Sequence, residues 1–286
     1  MTEKTKGLLY DLVLYAAAFA LGLIPFHMAE KPLWAELWLT LTATAVIFIA
    51  SCVHSDVSLY DPYWSVAPPV MLLAAMIRYG YWSANAVIMF AAVLLWSVRL
   101  TGNWVYTFKG MRREDWRYAG YRERLDPVPF ALLNLFGFQL MPTLVTYAGT
   151  AGALFVLQTE GFSPLMLAGV AVMLGAAVLE LAADTAIHRF LKETPGQRLT
   201  CRRSVWNYSR HPNYLGEMLF WFGIFLAHGA LDPRHWFRGL GFLPIATVFL
   251  FASIPMMERH NAQRREDYEE YRQVTSPLLL LPPKRG

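Results

Sequence analysis

The sequence contains few charged residues and few cysteines. Only 16% of its 286 residues are Asp, Glu, Lys or Arg, whereas an average soluble domain has about 25%. Its two cysteines, Cys52 in an apolar run and Cys201 in a basic segment, do not make a disulfide framework. The alternation of apolar and polar residues that is typical of outer-membrane barrels is also missing. These absences argue against a soluble enzyme and an outer-membrane barrel, and they give no sign of an oxidising compartment.

The sequence is instead rich in long apolar runs. Hydrophobic residues make up 56% of the chain, and several runs approach the roughly 20 residues that cross a bilayer. Runs bounded by charged or turn residues predict eight spans, near 8–27, 36–54, 66–79, 84–102, 131–157, 164–187, 213–230 and 239–257. The third run begins with two prolines and the fifth contains Pro142, so seven spans are the alternative. We therefore predict an all-α, polytopic membrane helix bundle with 7–8 transmembrane helices.

Basic residues are distributed unevenly among the predicted loops. The segments 109–124, 189–210 and 259–285 carry six Lys or Arg residues each, whereas the loops on the other side carry four in all. Because Lys and Arg collect in cytoplasmic loops, we expect both termini in the cytoplasm. The net charge of +4 is then a topology signal and does not indicate a nucleic-acid partner. The first run is expected to be a true span and not a cleaved signal peptide.

Ionisable residues within apolar runs are candidates for function because they are costly at membrane depth. They are Asp11, Arg99, Glu180, Asp184, Glu217 and His228, with Asp61 just before the third run. Snorkelling to a helix end is the alternative for Asp11 and Arg99. For Asp61 the alternative is an N-cap role ahead of Pro62.

Two of these residues, together with His188, raise the question of a metal site. Glu180, Asp184 and His188 follow one another at intervals of four residues, which places them on one helix face. Three collinear ligands do not surround an ion, and no H-E-x-x-H or C-x-x-C pattern supplies more. We predict no metal, and a structural network or contacts to ribose hydroxyls instead.

The densest polar stretch, residues 200–217, leads directly into the seventh run. It ends in Arg210-His211-Pro212-Asn213-Tyr214-Leu215-Gly216-Glu217. Pro212 begins the helix. The free backbone amides of the first helical turn, together with the flanking arginines, suit a phosphate group. The chain has no G-x-G-x-x-G after a strand and no Walker A motif. A nucleotide site would therefore be of a non-Rossmann kind, formed by membrane helices and their loops.

Five motifs resemble those of one known family. They are Ser209–Glu217, Glu180-x-x-x-Asp184, Met257-Glu258-Arg259 with Tyr268-Glu269-Glu270-Tyr271, Asp115-Trp116-Arg117-Tyr118, and Asp61-Pro62-Tyr63-Trp64. Together they are similar to the steroid 5α-reductase family of membrane NADPH-dependent reductases, in its bacterial branch. The resemblance is strong from about residue 180 to 275 and weaker before it.

The resemblance implies an oxidoreductase of steroid or lipid metabolism that lies in a bacterial inner membrane and takes NADPH from the cytosol. It would reduce a carbon–carbon double bond conjugated to a ketone, as in 3-oxo-Δ4 steroids, and its substrate would be a hydrophobic steroid or sterol-like enone. We expect a monomer with one integral membrane domain over residues 1–286. Its substrate side would lie mainly in 1–130 and its cofactor side mainly in 131–286.

The resemblance also implies roles for individual residues. Asp61 falls at the acidic substrate-side position of the family, and we take Tyr63 as the second catalytic candidate. Tyr60, Trp64 and Trp96 are the expected substrate contacts. The expected cofactor contacts are Arg99, Asp184, Lys192, Arg198, Arg202, Tyr208, Asn213 and Glu217. Two departures stand out, because the tyrosine that partners the acid falls on Trp96 and an arginine of the eukaryotic tail motif falls on Pro255.

The chemistry of an enone explains why a carboxyl group is expected next to the substrate. Hydride adds to the β carbon only when the ketone oxygen is stabilised as negative charge develops on it, and a protonated Asp61 would be that donor. Isoprenylcysteine and lipid methyltransferases, which use S-adenosylmethionine, share the Arg-His-Pro-x-Tyr-x-Gly pattern and are the main alternative. A transporter and a sterol Δ14 or Δ7 reductase are others. The residues that favour a dinucleotide phosphate are Asn213, Glu217, Asp184 and the adjacent arginines 202 and 203.

Overall fold

The computed structural model describes residues 1–111 and 113–284. Arg112 and Arg285, two of the basic residues counted above, lie outside the described residues. The chain divides into two compact units, Met1–Gly161 and Phe162–Gly286. The expectation of a single domain with a substrate side ending near residue 130 stays a prediction.

Helices account for most of both units. The first unit contains α1 (Glu3–Met28), α2 (Pro32–His54), α3 (Tyr63–Tyr79), α4 (Ala84–Thr107), α5 (Trp116–Arg122), α6 (Pro127–Leu133) and α7 (Met141–Gln158). The second contains α8 (Met166–Glu193), α9 (Pro212–Leu231), α10 (Phe242–Val248), α11 (Ile254–Arg264) and α12 (Tyr268–Val274). Short 3-10 turns lie at Val57–Tyr60, Ser204–Asn207 and Pro233–Gly239. The π-helical turns Asn134–Leu140 and Phe249–Ser253 join α6 to α7 and α10 to α11.

Seven helical stretches in the described part of the chain are long and apolar enough to cross a membrane. They are α1, α2, α4, Pro127–Gln158, α8, α9 and Pro233–Arg264. This confirms the all-α polytopic membrane fold, and the protein is an integral membrane protein. The predicted third span coincides with α3, whose 17 residues rise about 25 Å. That is less than the roughly 30 Å of a hydrocarbon core, so helix length supports seven spans.

Side chains hold the helix ends of the first unit together. The Arg78 guanidinium, in the last turn of α3, donates to the carbonyl oxygens of Phe26, His27 and Ala29 at the end of α1. The last carbonyls of a helix have no partner within it, so these bonds satisfy groups that would otherwise be costly to bury. Halfway along α1, the Tyr15 hydroxyl donates to the Leu59 carbonyl oxygen at 2.9 Å. Helix α1 is thereby held both to α3 and to the turn that follows α2.

In the second unit, α8 and α9 pack at unusually close range. A Cβ atom added to Gly169 would lie 2.4 Å from the backbone nitrogen of Ala227, so only glycine allows this approach. Small residues at helix contacts are the common way in which membrane helices come close enough for dense packing. The segment after α12 returns along the loop before α9, where Arg210 N donates to Ser276 O at 2.9 Å and Leu281 N to Tyr208 O at 3.2 Å.

Candidate functional site

Asp61 lies at the end of the Val57–Tyr60 turn, directly before α3. The N-cap residue of α3 is Pro62, and no side chain caps this helix, so the N-cap role considered for Asp61 is wrong. Its Oδ1 atom instead accepts a hydrogen bond from the Tyr118 hydroxyl at 2.8 Å. The same oxygen lies 3.8 Å from a guanidinium nitrogen of Arg117, and the Asp61 side chain is 22% exposed.

Burial controls the titration of this carboxyl group. It raises the pKa of Asp61 from 3.8 to about 6, while Arg117 and the hydrogen bond from Tyr118 act in the opposite direction. Burial, together with the charge of Asp61, raises the pKa of the Tyr118 phenol well above its ordinary value. A carboxyl group with a pKa near neutrality can both hold and release a proton under physiological conditions, which is the property of a general acid or base.

A cavity of about 470 Å³ opens beside Asp61. Its lining mixes acidic, basic and aromatic side chains, among them Asp56, Asp61, Lys109, Arg113, Glu114, Asp115, Trp104, Phe108 and Trp116. Its volume is in the range of small-molecule sites, about 300–1,000 Å³. Hydrogen bonds hold the Glu114 side chain of this lining in place. Its Oε1 atom accepts from Val57 N at 2.9 Å, and its carboxylate binds Arg122.

The two tyrosines predicted beside Asp61 make their hydrogen bonds elsewhere. The Tyr63 hydroxyl donates to the Thr40 carbonyl oxygen at 2.9 Å, and the Tyr60 hydroxyl lies 2.7 Å from Thr143 Oγ1. Their rings stack with centroids 4.8 Å apart, and both side chains are buried. The phenol that does contact Asp61 is Tyr118, which belongs to the Asp-Trp-Arg-Tyr motif but received no predicted role.

The other predicted residues of the first unit lie on α3 and α4. Trp64 is half-buried in the first turn of α3, and Arg99 is half-buried in α4. Trp96 is fully buried. Asp11, by contrast, is only 4% exposed, so the snorkelling alternative considered for it is wrong.

A second cavity, of about 220 Å³, lies in the second unit between α8, the loop before α9, and α11 with α12. Its lining is polar and aromatic and includes Asp184, Thr200, Cys201, Trp206, Arg210, His211, Asn213, Asn261, Arg265, Tyr268 and Tyr271. Two of the expected cofactor contacts, Asp184 on α8 and Asn213 in the first turn of α9, are thus brought to one cavity.

The remaining expected cofactor contacts lie around this cavity or on the surface. Arg202 binds Glu270 at 2.9 Å and the Asp267 carbonyl oxygen at 3.0 Å, and its guanidinium carbon is 5.7 Å from the ring centroid of Tyr271, a lining residue. Glu217 is buried one turn further along α9 and accepts from Trp221 Nε1 at 3.1 Å. The exposed side chains are Lys192, Arg198 and Tyr208.

Glu258 connects the conspicuous residues of the second unit, a role that sequence reasoning missed. Its Oε1 atom accepts from Arg210 Nε at 2.9 Å and from the Tyr268 hydroxyl at 2.9 Å, and it pairs with His211 Nε2 at 2.7 Å. Burial, followed by the charge of Glu258, raises the pKa of Tyr268. The Arg-His motif and the tail motif are therefore two halves of one cluster around a single carboxylate.

The glycine of the motif has a packing role. A Cβ atom at Gly216 would lie 2.4 Å from Cγ of Glu180 on α8. The Trp206 indole donates to the Ala183 carbonyl oxygen at 2.9 Å, which fixes the loop before α9 against the same stretch of α8. These two contacts bring Asp184 and Asn213 to one place.

A family model described as "Protein of unknown function (DUF1295)" matches residues 47–276. The chain belongs to the DUF1295 family. Both cavities of this DUF1295 protein are lined by residues within the matched range. The chain is also similar to an uncharacterized protein of Schizosaccharomyces pombe, with 24% identity over 278 residues that cover 88% of this chain and 80% of the relative. No solved structure matches the chain.

Proposed function

We propose that this membrane protein is an NADPH-dependent oxidoreductase that reduces a carbon–carbon double bond conjugated to a ketone, with 3-oxo-Δ4 steroids as the substrate class. The observation that carries the proposal is the Asp61–Tyr118 pair beside the larger cavity. With a pKa of about 6, roughly one tenth of Asp61 is protonated at pH 7. The protonated form donates a hydrogen bond to the ketone oxygen, where negative charge develops during reduction.

The walls of the larger cavity support an enone as substrate. Polar groups surround Asp61, while Trp104, Phe108 and Trp116 supply flat apolar surface. A flat hydrophobic molecule with one ketone needs this combination, since its polar end requires a donor and its body requires apolar contact. Tyr118 positions the Asp61 carboxyl group, and Arg117 limits how far its pKa rises.

The smaller cavity fits the nucleoside part of a cofactor. Asp184 would accept hydrogen bonds from ribose hydroxyls, and the amides of Asn213 and Asn261 would pair with a base or a carboxamide. Its volume of about 220 Å³ is less than that of a site for a whole drug-sized molecule, so it takes one part of a dinucleotide. Bound NADPH would supply the hydride for the β carbon. Arg202, which borders the cavity, is our candidate for its 2′-phosphate.

A methyltransferase that uses S-adenosylmethionine is the second candidate, because one observation favours it. The two arginines described at the lining are already engaged with protein groups: Arg210 with Glu258, and Arg265 with the Leu199 carbonyl oxygen and Asn261. A cavity that offers nucleoside contacts, with its arginines engaged in this way, suits a nucleoside cofactor without phosphate groups as well as a dinucleotide.

The orientation forms part of the proposal. We place both termini and the basic segments 109–124, 189–210 and 259–285 in the cytoplasm of a bacterial inner membrane. The smaller cavity is lined by residues of the second and third of these segments. A cytoplasmic orientation would give it direct access to soluble nucleotides.

The test is nucleotide binding followed by turnover, with the protein purified in detergent. We expect NADPH to bind and to be oxidised in the presence of a member of a panel of sterols, enones and prenyl quinones. Tight binding of S-adenosylmethionine without binding of NADPH would establish the second candidate instead.

The variant Arg202→Ala distinguishes a role of Arg202 in binding the 2′-phosphate of NADPH from a general loss of nucleotide binding. A hydrogen bond to a charged group is worth about 1.5–3 kcal/mol, so NADPH binding should weaken about 10–100-fold while NADH binding changes little. Arg203→Ala is the matched control, because Arg203 is more exposed and pairs with Glu193. Equal losses for NADPH and NADH would remove Arg202 from the 2′-phosphate site.

A further inference from the structure

Three consecutive leucines are exposed in the segment after α12, outside the membrane-spanning helices. Leu279, Leu280 and Leu281 are between 43% and 55% exposed, and Pro282 follows them. We call residues 276–284 the C-terminal strap. Contiguous apolar patches on a protein surface mark sites that bind a ligand, another protein or a membrane, so the strap is a candidate contact surface.

Hydrogen bonds hold the C-terminal strap in place on both sides of the three leucines. On one side, Ser209 Oγ donates to the Leu278 carbonyl oxygen at 2.7 Å. On the other side, Lys284 N donates to the Val274 carbonyl oxygen at 2.9 Å. The exposed leucines therefore belong to a segment that is bonded to the second unit before and after them, and not to a loose chain end.

The position of the strap relative to the bilayer follows from α9. This helix has 20 residues, Pro212–Leu231, and rises about 30 Å, which matches the thickness of a hydrocarbon core. Its first residue therefore lies at the edge of that core. The strap is bonded to the residues just before this edge, since Leu281 N donates to Tyr208 O at 3.2 Å and Arg210 N donates to Ser276 O at 2.9 Å. The strap thus lies at the level of the lipid headgroups.

The composition of the strap suits the interface between lipid and water. Segments that bind there combine apolar side chains, which enter the acyl boundary, with basic side chains, which are attracted to anionic headgroups. The leucines are the apolar part. Lys284 is exposed, and Arg285 follows it in the sequence. Tyr208, to which the strap is bonded, is 44% exposed, and tyrosine is one of the two residue types that collect at membrane interfaces.

We propose that the leucines of the C-terminal strap insert into the bilayer interface on the side where α9 begins. The partner is the lipid surface: Leu279, Leu280 and Leu281 enter the boundary between headgroups and acyl chains, and Lys284 lies among the phosphate groups. Charge complementarity and the bonds to the start of α9 favour lipid over a second protein. The inference holds whether the smaller cavity takes NADPH or S-adenosylmethionine.

Insertion of the strap also stabilises one wall of the smaller cavity. Arg210, which lines this cavity, donates through a guanidinium nitrogen to the Thr275 carbonyl oxygen at 3.1 Å, directly before the strap. The hydroxyl group of Tyr271, another lining residue, donates to the Ser209 carbonyl oxygen at 3.1 Å. Because the strap and the loop before α9 are bonded to each other, attachment of the strap to lipid holds this loop in place.

Fluorescence quenching tests the insertion in the full-length protein, reconstituted in lipid nanodiscs. A fluorophore is attached to Leu280→Cys in a Cys52→Ser background, because Cys52 is exposed whereas Cys201 is buried. Nitroxide groups on the lipid acyl chains, close to the headgroups, should quench this label several times more strongly than the same label on Glu269→Cys. Glu269 is the matched control, since it lies on α12, before the strap, and its side chain is 64% exposed.

Two outcomes of this measurement would overturn the insertion. One is equal quenching of the labels on Leu280→Cys and Glu269→Cys. The other is a label on Leu280→Cys that is shielded from water only in nanodiscs holding two copies of the protein, which would assign the leucines to a contact between copies. Adding Leu279→Ser and Leu281→Ser should lower the quenching of the label, because the segment then has less apolar surface to insert.

Hydrogen exchange tests the link to the smaller cavity without any nucleotide. In nanodiscs, the Arg210 amide should exchange roughly tenfold faster in Leu279→Ser/Leu281→Ser than in the wild type, which corresponds to about 1.4 kcal/mol of lost local stability. Leu165→Ser is the matched control, because Leu165 is a 70% exposed leucine at the N-cap of α8. Exchange at Arg210 that is equal in the strap variant and in Leu165→Ser would overturn the stabilisation of the cavity wall.

Discussion

Tyr118→Phe is expected to raise the pKa of Asp61 and to move the pH dependence of activity with it. The Tyr118 hydroxyl donates to Asp61 Oδ1 at 2.8 Å, and this bond stabilises the ionised carboxylate. Phenylalanine removes the donor but keeps the ring that packs around the carboxyl group. Asp61 therefore stays buried with one stabilising contact fewer, and its protonated form should persist to higher pH.

The size of the shift follows from the contact that is lost. A hydrogen bond to a charged group contributes about 1.5–3 kcal/mol, and one pKa unit corresponds to about 1.36 kcal/mol. Because the Asp61 side chain is 22% exposed, we take the lower end of this range, which gives a shift of about one unit from the starting value of about 6. If protonated Asp61 is the active form, activity is complete below this pKa and falls about tenfold per pH unit above it. At pH 7 the variant should retain about half of its acid-side activity, against about one tenth for the wild type.

The assay is kcat/KM for NADPH-dependent enone reduction across the pH range in which Asp61 titrates. Tyr121→Phe is the control, because Tyr121 lies on the same helix and is 46% exposed. Asp61→Asn should remove the alkaline limb and lower turnover by about 10²–10³-fold, the typical cost of losing an activated donor. An alkaline limb at the same pH in the wild type, in Tyr118→Phe and in Asp61→Asn would refute the role of Asp61.

Three further predictions concern the second unit and the orientation of the chain. Glu258→Gln should lower stability in detergent by about 3 kcal/mol, because it leaves the groups bonded to Glu258 without their charge partner; thermal unfolding measures this, and Glu269→Gln, at an exposed side chain, should change little. Gly169→Val should destabilise by about 1–3 kcal/mol through overpacking against α9, whereas Gly175→Ala, where a Cβ atom meets nothing within 4 Å, should be tolerated in the same measurement. Reporter fusions after residues 125, 200 and 286 should all report the cytoplasm, and an external carboxyl terminus would contradict the orientation.

The membrane helices were predictable because a long apolar run has few other stable states in a bilayer. Runs near 8–27 and 36–54 correspond to α1 and α2, which begin only slightly earlier. The π-helical turn within the fifth span was not predictable. Its polar side chains Asn134 and Gln139 bond to Ser51, which lies 83 and 88 residues earlier, and no local pattern encodes a contact of that separation.

The candidate site was predictable only in part, because the sequence shows conspicuous residues but not the distant residues that contact them. Asp61 could be identified because a carboxyl group next to an apolar run is conspicuous. Its partner could not, since Tyr118 lies 57 residues away, while the neighbouring Tyr63 makes its hydrogen bond to Thr40. Likewise, Arg210 and His211 stand out in the sequence as part of the motif before α9, but only tertiary structure brings Glu258 to them.

The contacts between the loop before α9 and the segment after α12 impose an order on the biogenesis of the second unit. Ser209 Oγ donates to the Leu278 carbonyl oxygen, 69 residues further along the chain, and Leu281 N donates to Tyr208 O. During synthesis, α9 and the helices after it must therefore leave the ribosome and insert before these bonds can form. The lining of the smaller cavity includes Tyr268 and Tyr271 of α12, so a chain that stalls after α11 would be inserted in the membrane with this cavity still incomplete.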